Sequence, residues 1–379
     1  MQRLAPLGDR NPNQHTEDEV RAALRGVTGA RRFSFRYRLL DSGGRVVREE
    51  LPGVISGSIE QNWLADIKRT AKFAVQDLGI IDYLSDRIQP FVRLHLPPYG
   101  DLDWVEWPQG VFLLDSPTRR ALPSGNVVRE VDAYDLLKIY ADDCPPGRYG
   151  VAAGVNVVTA VLALLGSSTS RIVTPTTSTM TVAREWEPGT SKLRMINDLL
   201  GTINYSSLAF DEDGRAIIEP YREPSKRTQE WVYADDQYGL VVPEVDETLD
   251  LGSIPNQWVL VVSDPDQPEL VATYTNNAPG SPTGTVRRQR TITDFRTEQD
   301  AADLPTLQAK AARLAFEASQ VYQTLAFSTA LMPIHSGNDV YRITYGRLAI
   351  NAPYSEQGWS MPLRAGQPMK HTARRVVSV

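Results

Sequence analysis

The chain has 379 residues, 41% of them hydrophobic and 23% charged, and its formal net charge at pH 7 is −6. A chain of this length allows about two to four domains with sizeable cores, and the acidic balance argues against a protein that coats nucleic acid. Cys144 is the only cysteine, which excludes an internal disulfide. The first residues lack the apolar segment of a secretion signal. The longest apolar run, 151–165, is shorter than the roughly 20 residues of a spanning helix, so we expect no stable membrane insertion.

Residues 1–15 are rich in proline, asparagine and glutamine, a composition that predicts a flexible arm. A short helix should follow, because Thr16 and Glu19 have the spacing of a capping box and Gly26 is placed to end the helix. We therefore predict that residues 1–28 form an N-terminal arm that contains this helix.

The helix in this arm has a single small apolar face, which Val20 and Leu24 provide. Such a face is too small to stabilise an isolated helix, so the helix must dock on another surface. That surface can belong either to the same subunit or to a neighbouring one, and the sequence leaves both alternatives open. Val20 and Leu24 are the candidate interface residues if the second alternative holds.

Alternation with a period of two begins at Arg31. It places apolar side chains on one face of a half-buried strand and Arg36 and Arg38 on the other. Seven further strands with turn signals between them are predicted at 45–51, 54–60, 72–77, 90–96, 104–108, 110–115 and 127–132. Eight short strands of this kind are typical of a sandwich or barrel. We predict a first β-barrel domain at residues 29–141, closed by a helical turn at 135–142.

Residues 142–236 are predicted as an α+β domain. Its expected elements are an apolar helix at 156–165, a strand at 171–174, and a block at 180–221 with an amphipathic helix and two short strands. Thr190 or Ser191 is the natural N-cap of the amphipathic helix. The acidic turn 211–214 should join the two strands, because Gly214 can adopt a positive φ. The region lacks a long βαβ repeat, which argues against a doubly wound nucleotide-binding fold.

Residues 237–379 return to β structure and are predicted as a second β-barrel domain. The nearly continuous apolar run 258–262 is expected in a strand that is buried on both faces. An amphipathic helix is predicted at 304–320, with Leu307 and Ala311 on its apolar face. The predicted fold class is therefore mainly β with an α+β part.

Several short phrases resemble those of one protein family in their order and spacing. They are D-Y-L-S-D-R-I-x-P at 82–90, W-P-x-G-V-F-L-L-D-S-P at 107–117, G-T-S-K-L…I-N-x-L-L at 189–200, and P-N-Q-W-V-x-V at 255–261. Together they resemble the central hub proteins at the tail tip or baseplate of long-tailed bacteriophages. This family includes late-control-protein-D-like hubs, the N-terminal hub part of siphophage tail-associated proteins, and actinophage minor tail proteins. The resemblance spans nearly the whole chain, from Phe33 to Val379.

The resemblance implies that the two β-barrel domains are similar, that helix 304–320 crosses between strands of the second, and that subunits assemble as a homotrimeric ring. Six quasi-equivalent barrels would match the six-fold tail tube above and present three-fold symmetry below, through a closed cyclic interface. The implied partners are the distal tail protein and tail tube above, spike or fibre proteins below, and tape-measure protein in the lumen, with DNA only in transit during ejection. The implied location is the virion tail tip, after assembly in the host cytoplasm, and the implied role is structural, not enzymatic.

Three alternatives remain open. A distal tail protein would be six-fold, so a subunit count separates it from a hub. A receptor- or carbohydrate-binding tail component would use exposed tryptophans to stack on sugars. A cell-wall hydrolase would need paired carboxylates across a cleft. The candidates for this chemistry are Asp101, Asp103 and Glu106, with Trp104 and Trp107 as a sugar platform.

No pattern in the sequence predicts a catalytic, cofactor or metal site. The chain lacks the H-x-x-x-H and H-E-x-x-H spacings of zinc sites. Its four histidines are His15, His95, His335 and His371. The G-x-S-x-G and phosphate-loop motifs are also missing. The acidic stretch 211–214 lacks the alternating ligands of a calcium loop, and a hairpin turn is the better interpretation. We therefore predict neither a cofactor nor a metal.

Overall fold

The computed structural model describes residues 1–96, 103–121, 123, 125–249, 252, 254–262, 269–298, 301, 303–320 and 323–376. Its α-helices are α1 (Glu17–Leu24), α2 (Leu137–Asp142), α3 (Val157–Leu165), α4 (Lys192–Thr202), α5 (Thr285–Arg288) and α6 (Leu304–Gln320). Its strands are β1 (Arg32–Leu40), β2 (Val46–Arg48), β3 (Val54–Asn62), β4 (Arg69–Gln76), β5 (Arg87–His95), β6 (Trp104–Pro108), β7 (Phe112–Ala121), β8 (Val127–Asp135), β9 (Tyr149–Val151), β10 (Arg171–Val173), β11 (Arg184–Trp186), β12 (Ala209–Phe210), β13 (Ala216–Ile218), β14 (Trp231–Ala234), β15 (Val241–Leu249), β16 (Gln257–Val262), β17 (Leu270–Thr275), β18 (Thr293–Glu298), β19 (Gln323–Ala330), β20 (Val340–Tyr345), β21 (Ile350–Pro362) and β22 (Pro368–Arg375). This composition confirms the mainly β class with an α+β part. In the described parts of the chain, no helix is both long and apolar enough to cross a lipid bilayer.

Fourteen strands form one large sheet, which we call the main sheet. Its strand order is β15-β19-β22-β21-β3-β4-β8-β7-β5-β1-β2, with β6 beside β5, β20 beside β21 and β14 beside β20. Within this order β3 and β21 pair antiparallel, with Ile59 opposite Met361. This pair joins the strands of the two ranges 29–141 and 237–379 into one hydrogen-bonded network. The division into domains at the predicted boundaries remains a prediction.

The main core is a cluster of buried apolar side chains that come from both ends of the chain. The N-terminal arm contributes Leu4 and Leu24, the first half of the main sheet contributes Phe73 and Trp107, and β20 contributes Tyr341. Burial of large aromatic and aliphatic side chains is the dominant favourable term in folding. Residues that are distant in sequence therefore pack together in one common core.

β1 shows the expected alternation only in part. Leu39 is buried in the main core as predicted, but Arg36, which the pattern places on the opposite face, is buried as well. The Arg36 guanidinium lies 4.0 Å from the centre of the Phe91 ring, and its Nε donates to Glu106 Oε2 at 3.1 Å. A buried cation requires a paired anion, and β6 supplies this carboxylate. The polar face of β1 thus contains an internal ion pair.

The helices α2, α3 and α4 surround a second core that includes Val161 and Ile196. The side chain of Asn156 caps α3, and the side chain of Ser191 caps α4 by accepting a backbone hydrogen bond. Ser191, and not Thr190, is therefore the N-cap of the amphipathic helix. Two small sheets, with the orders β10-β13-β12 and β11-β9, belong to the same part of the chain.

A separate three-stranded sheet has the order β17-β16-β18, with β17 antiparallel and β18 parallel to β16. Leu307 and Ala311 of α6 pack with Leu260 of β16 in a small third core. The helix spans 304–320 as predicted, and the apolar run 258–262 forms most of β16. In this region the predicted helix and the predicted strand are therefore both present at the expected positions.

Candidate assembly surfaces

The N-terminal arm lies against the main core, which corrects the expectation of a flexible segment. The backbone N–H of Gln2 donates to the carbonyl of Ile334 at 2.8 Å. The indole N–H of Trp107 donates to the carbonyl of Arg3 at 3.0 Å. These contacts connect the arm with β6 and with the loop that follows β19, so the arm is part of the folded subunit.

The arm helix α1 docks on its own subunit, which decides between the two alternatives left open by the sequence. The capping box of Thr16 and Glu19 is present, and hydrogen bonds from Thr16 hold the pKa of Glu19 below its usual 4.5. Val20 and Leu24 are fully buried in the main core. These candidate interface residues are therefore core residues. A contact between the arm and a neighbouring subunit would have to use exposed side chains such as Leu7, which is 70% exposed.

The carboxylates considered for hydrolysis are held in internal pairs. Asp103 Oδ1 lies 2.8 Å from Nε2 of His15. Both oxygens of Glu106 accept hydrogen bonds from guanidinium groups, one of which is that of Arg93 at 3.0 Å. Asp101 lies outside the described residues. Glycoside hydrolysis requires a carboxyl group directed at the leaving group, whereas both oxygens of Glu106 are directed at guanidinium groups.

The acidic stretch 211–214 is a hairpin turn, as predicted, with a φ of +76° at its glycine. Asp211 accepts hydrogen bonds from backbone N–H groups of its own turn. Glu212 forms an ion pair with Arg69 at 2.8 Å, and Asp213 forms one with Arg10 of the arm. The acids of this turn are thus bound to backbone groups and arginines.

One end of the main sheet is the edge strand β15, which among the described strands pairs with β19 alone. Its exposed side chains include Val242, Glu244, Asp246 and Glu247. None of these three acids has an ion-pair partner within the part of the chain that the structure describes. An edge strand presents unpaired backbone groups that can pair with a strand from another chain. This end of the sheet is therefore an acidic edge, and Pro243 and a register shift between Val241 and Val245 interrupt its ladder.

The other end of the main sheet is β2, which is held to β1 by only two residue pairs. Val46 and Val47 are about half exposed, and Val47 reaches 51%. Arg45 and Arg48 flank these valines, are exposed, and have no ion pair among the residues described. The two ends of the main sheet therefore carry opposite charge, a pattern suited to contact between different patches of neighbouring subunits.

A buried polar cluster escaped the sequence analysis. We call His335, Glu356 and His371 the histidine cluster. Glu356 Oε2 lies 2.9 Å from Nδ1 of His371 and 4.0 Å from Nδ1 of His335. The three residues lie on the loop after β19, on β21 and on β22, so spacing rules cannot detect them. A usable signal was the alternation along β22, which places His371 between the buried residues Met369 and Ala373.

Further groups surround the histidine cluster. The Tyr341 hydroxyl donates to Glu356 at 2.9 Å, and Asp339 Oδ2 lies 3.0 Å from Nδ1 of His335. Burial lowers the pKa of His371 against the opposing effect of Glu356, which favours a neutral imidazole. Burial alone would raise the pKa of Asp339, but the N-terminal ammonium and His335 outweigh it and bring the pKa to about 2. Imidazole nitrogens and carboxylate oxygens are donors that can hold a divalent cation.

No known protein family matches the sequence, and no curated protein matches it. Solved structures do match. The chain covers 96% of a tail protein from Neisseria meningitidis MC58, with 90% of its own residues, a TM-score of 0.64 and 12% identity. It covers 98% of a 43 kDa tail protein of prophage MuSo2 from Shewanella oneidensis, again with 90% of its own residues, a TM-score of 0.58 and 10% identity.

A third match is the prophage tail protein gp18 from Listeria monocytogenes EGD-e. Here the alignment covers 89% of this chain and 94% of that one, with a TM-score of 0.56 and 12% identity. This chain has the fold of phage tail proteins. Its neighbours in structure belong to the class of protein that the sequence phrases resemble, and the shared fold extends over nearly the full length of each.

Proposed function

We propose that the protein is a structural subunit of a bacteriophage tail tip, the hub of its baseplate, located in the virion. The observation that carries this proposal is the fold shared with three tail proteins over 89–90% of the chain. A fold alone hosts many functions. The proposal therefore also rests on the sequence phrases and on the two open, oppositely charged ends of the main sheet.

We propose that three subunits form a ring by head-to-tail contact between the acidic β15 end of one and the basic β2 end of the next. Edge strands favour pairing with another strand, and complementary charges select the partner and its register. A heterologous contact of this kind closes into a ring when the rotation between subunits allows it. The domains 29–141 and 237–379 would occupy six quasi-equivalent positions in the ring, and the α+β domain 142–236 would belong to each subunit once.

The proposed ring would lie below the distal tail protein and tail tube and above the spike or fibre proteins. Its lumen would pass the tape-measure protein and then DNA during ejection. The net charge of −6 supports a channel that repels a polyanion, because the summed charge of a protein acts over its whole surface. Siphophage tails are the proposed setting.

A structural role is supported over an enzymatic or sugar-binding role. Two of the carboxylates proposed for hydrolysis, Asp103 and Glu106, are engaged in internal pairs. A sugar platform requires an exposed aromatic face, and most of the tryptophans are buried. The buried ones are Trp107, Trp186, Trp231, Trp258 and Trp359. The other two are partly buried beneath cations, Trp104 under Arg93 at 4.5 Å and Trp63 under Lys68 at 5.0 Å.

A subunit count tests the proposal directly. Native mass spectrometry of the purified chain at micromolar concentration should give a trimer. A hexamer would favour the six-fold distal tail protein instead. A monomer that binds host glycans would favour the receptor-binding alternative, and a monomer without binding would contradict the ring.

A further inference from the structure

We propose that the histidine cluster is a structural site for one divalent transition-metal ion, with zinc as the metal that best suits its donors. The ligands are His335, Glu356 and His371. Their ligating atoms all lie within 4.8 Å of one another, and all three residues are buried. This inference is independent of the proposed tail function, because it rests on the interior of one subunit.

The geometry of the donors is close to that of a bound ion. Zinc holds nitrogen and carboxylate oxygen ligands at about 2.0–2.2 Å in a tetrahedron, which places the ligands roughly 3.3–3.6 Å apart. Glu356 Oε2 lies 2.9 Å from one imidazole Nδ1 and 4.0 Å from the other, and these two distances bracket the tetrahedral value. The imidazole rings of His335 and His371 have centroids 5.0 Å apart at an interplanar angle of 61°. The ligating atoms lie within 4.8 Å of one another, so side-chain shifts of up to about 1 Å would bring them to the separations of a tetrahedral site.

The far nitrogen of each imidazole already has a partner that would orient it as a ligand. His335 Nε2 lies 2.6 Å from the Tyr233 hydroxyl, and His371 Nε2 lies 2.9 Å from the Thr329 hydroxyl. Histidines that bind metal through one nitrogen almost always hydrogen-bond through the other, which fixes the tautomer and the ring orientation. Nδ1 of His371 faces the carboxylate of Glu356 at 2.9 Å, and Nδ1 of His335 lies between Asp339, at 3.0 Å, and Glu356, at 4.0 Å.

The electrostatics of Glu356 favour a cation at this place. The residue is 1% exposed, and its Oε1 has no hydrogen-bond partner. Among the described residues, its ion pairs are with the two histidines alone, and none involves a lysine or arginine. A buried carboxylate with an unbonded oxygen is costly unless it is paired or coordinates a metal. A divalent ion at Oε2, which faces both imidazoles, would balance the charge of this carboxylate, whose Oε1 has no hydrogen-bond partner.

Asp339 lies beside the three ligands, and its oxygens already accept from the N-terminal ammonium at 2.7 Å and from the backbone N–H of Ser336 at 2.9 Å. It therefore becomes a fourth ligand only if its carboxylate turns towards the ion. Its Oδ2 lies 3.0 Å from Nδ1 of His335, and the residue is buried. Four protein ligands without an open position are the mark of a structural zinc site, in contrast to a catalytic one. Such an ion would tie the loop after β19 to β21 and β22, where the N-terminal arm also docks. A hydrogen-bonded network without metal is the competing description.

The test is the metal content of the full chain, produced without a histidine tag and purified without chelators. Inductively coupled plasma mass spectrometry should find about one zinc ion per subunit. The Glu356→Gln and His371→Gln variants should lower zinc affinity by more than about tenfold. The matched control is His95→Gln, since His95 lies on β5 outside the cluster and contacts Ser34. This control should keep the full metal content.

Measurements on the wild-type chain decide the matter even if the cluster variants fail to fold. The chain unfolded in denaturant with a chelator should refold with a higher Tm in the presence of zinc than in its absence. Cobalt(II) added to the stripped chain should give the visible absorption of a tetrahedral site. Wild-type protein that contains no stoichiometric metal and shows the same Tm with and without zinc would overturn the proposal.

Discussion

The main core and the three-stranded sheet β17-β16-β18 differ in how completely the chain itself covers them. Beside the main core, on the polar face of β1, even charged groups are enclosed, as the Arg36–Glu106 ion pair shows. In the three-stranded sheet, Val271 of β17 and Phe295 of β18 stay exposed, the latter at 63%. The subunit is therefore closed at its centre and open at its margins. Surfaces at the margins are where contacts with other chains are expected.

The largest expected effect comes from breaking the enclosed ion pair. Glu106→Gln should lower the free energy of unfolding by about 3 kcal/mol, because it removes the buried carboxylate and leaves the Arg36 guanidinium with the exposed Glu49 as its ion-pair partner. Chemical denaturation measures this loss. Glu50→Gln is the matched control, since Glu50 is exposed and lies 3.7 Å from Arg93. The control should stay within about 0.5 kcal/mol of wild type. Equal stability of the two variants would contradict the enclosed pair.

The docking of the arm should have an effect of similar size. Leu24→Ala should destabilise the isolated subunit by about 2–5 kcal/mol, because it opens a cavity in a fully buried site. Leu7→Ala, in the exposed part of the arm, should change stability by less than about 0.5 kcal/mol. Thermal or urea unfolding of the monomeric subunit is the measurement. If Leu24→Ala weakened assembly and left subunit stability intact, the arm helix would belong to an interface after all.

A smaller effect is expected at the start of α1. Thr16→Ala should cost about 1 kcal/mol at pH 7, because it removes the side chain that caps the helix. The pKa of Glu19 is lowered by its bonds to Thr16, so its share of the stabilisation is present above the usual 4.5 and is lost as the pH falls below it. The difference between wild type and variant should therefore shrink in acid. A difference that grew in acid would contradict this capping role.

Substitutions at the two ends of the main sheet, β2 and β15, should have the smallest effect on subunit stability. Their effect on assembly should be large. Arg45→Glu with Arg48→Glu should leave unfolding within about 0.5 kcal/mol of wild type and disrupt the ring, because it places like charges at the contact. Adding Glu244→Arg and Glu247→Arg to the same chain should restore the ring. Native mass spectrometry measures the number of subunits per assembly for both variants. A trimer that survives the first reversal unchanged would refute the head-to-tail contact.

Local patterns predicted the elements well because their causes are local. The capping box at Thr16, the turn glycine Gly214 and the apolar stripe of helix 304–320 each act within a few residues. The mainly β class follows from the same alternation. The order and spacing of short phrases pointed to tail proteins, and their fold is the one observed.

The misses share a physical cause, which is contact between residues distant in sequence. Arg36 was assigned to the polar face of β1, but Glu106 of another strand makes its burial possible. The arm was expected to be flexible because its composition is polar, yet Gln2 bonds to backbone near the far end of the chain. Glu356 and His371 meet because β21 and β22 pair, and His335 reaches them from the loop after β19, which pairs with the other side of β22. No spacing rule carries that information.

We propose that three copies of this chain form a ring at the end of a tail tube, and that the symmetry of this ring is its function. Cryo-electron microscopy of tail particles with the chain labelled tests it most directly. The account predicts three labelled copies in one ring at the tip, below the six-fold tube. Six copies, or a label away from the tip, would contradict it.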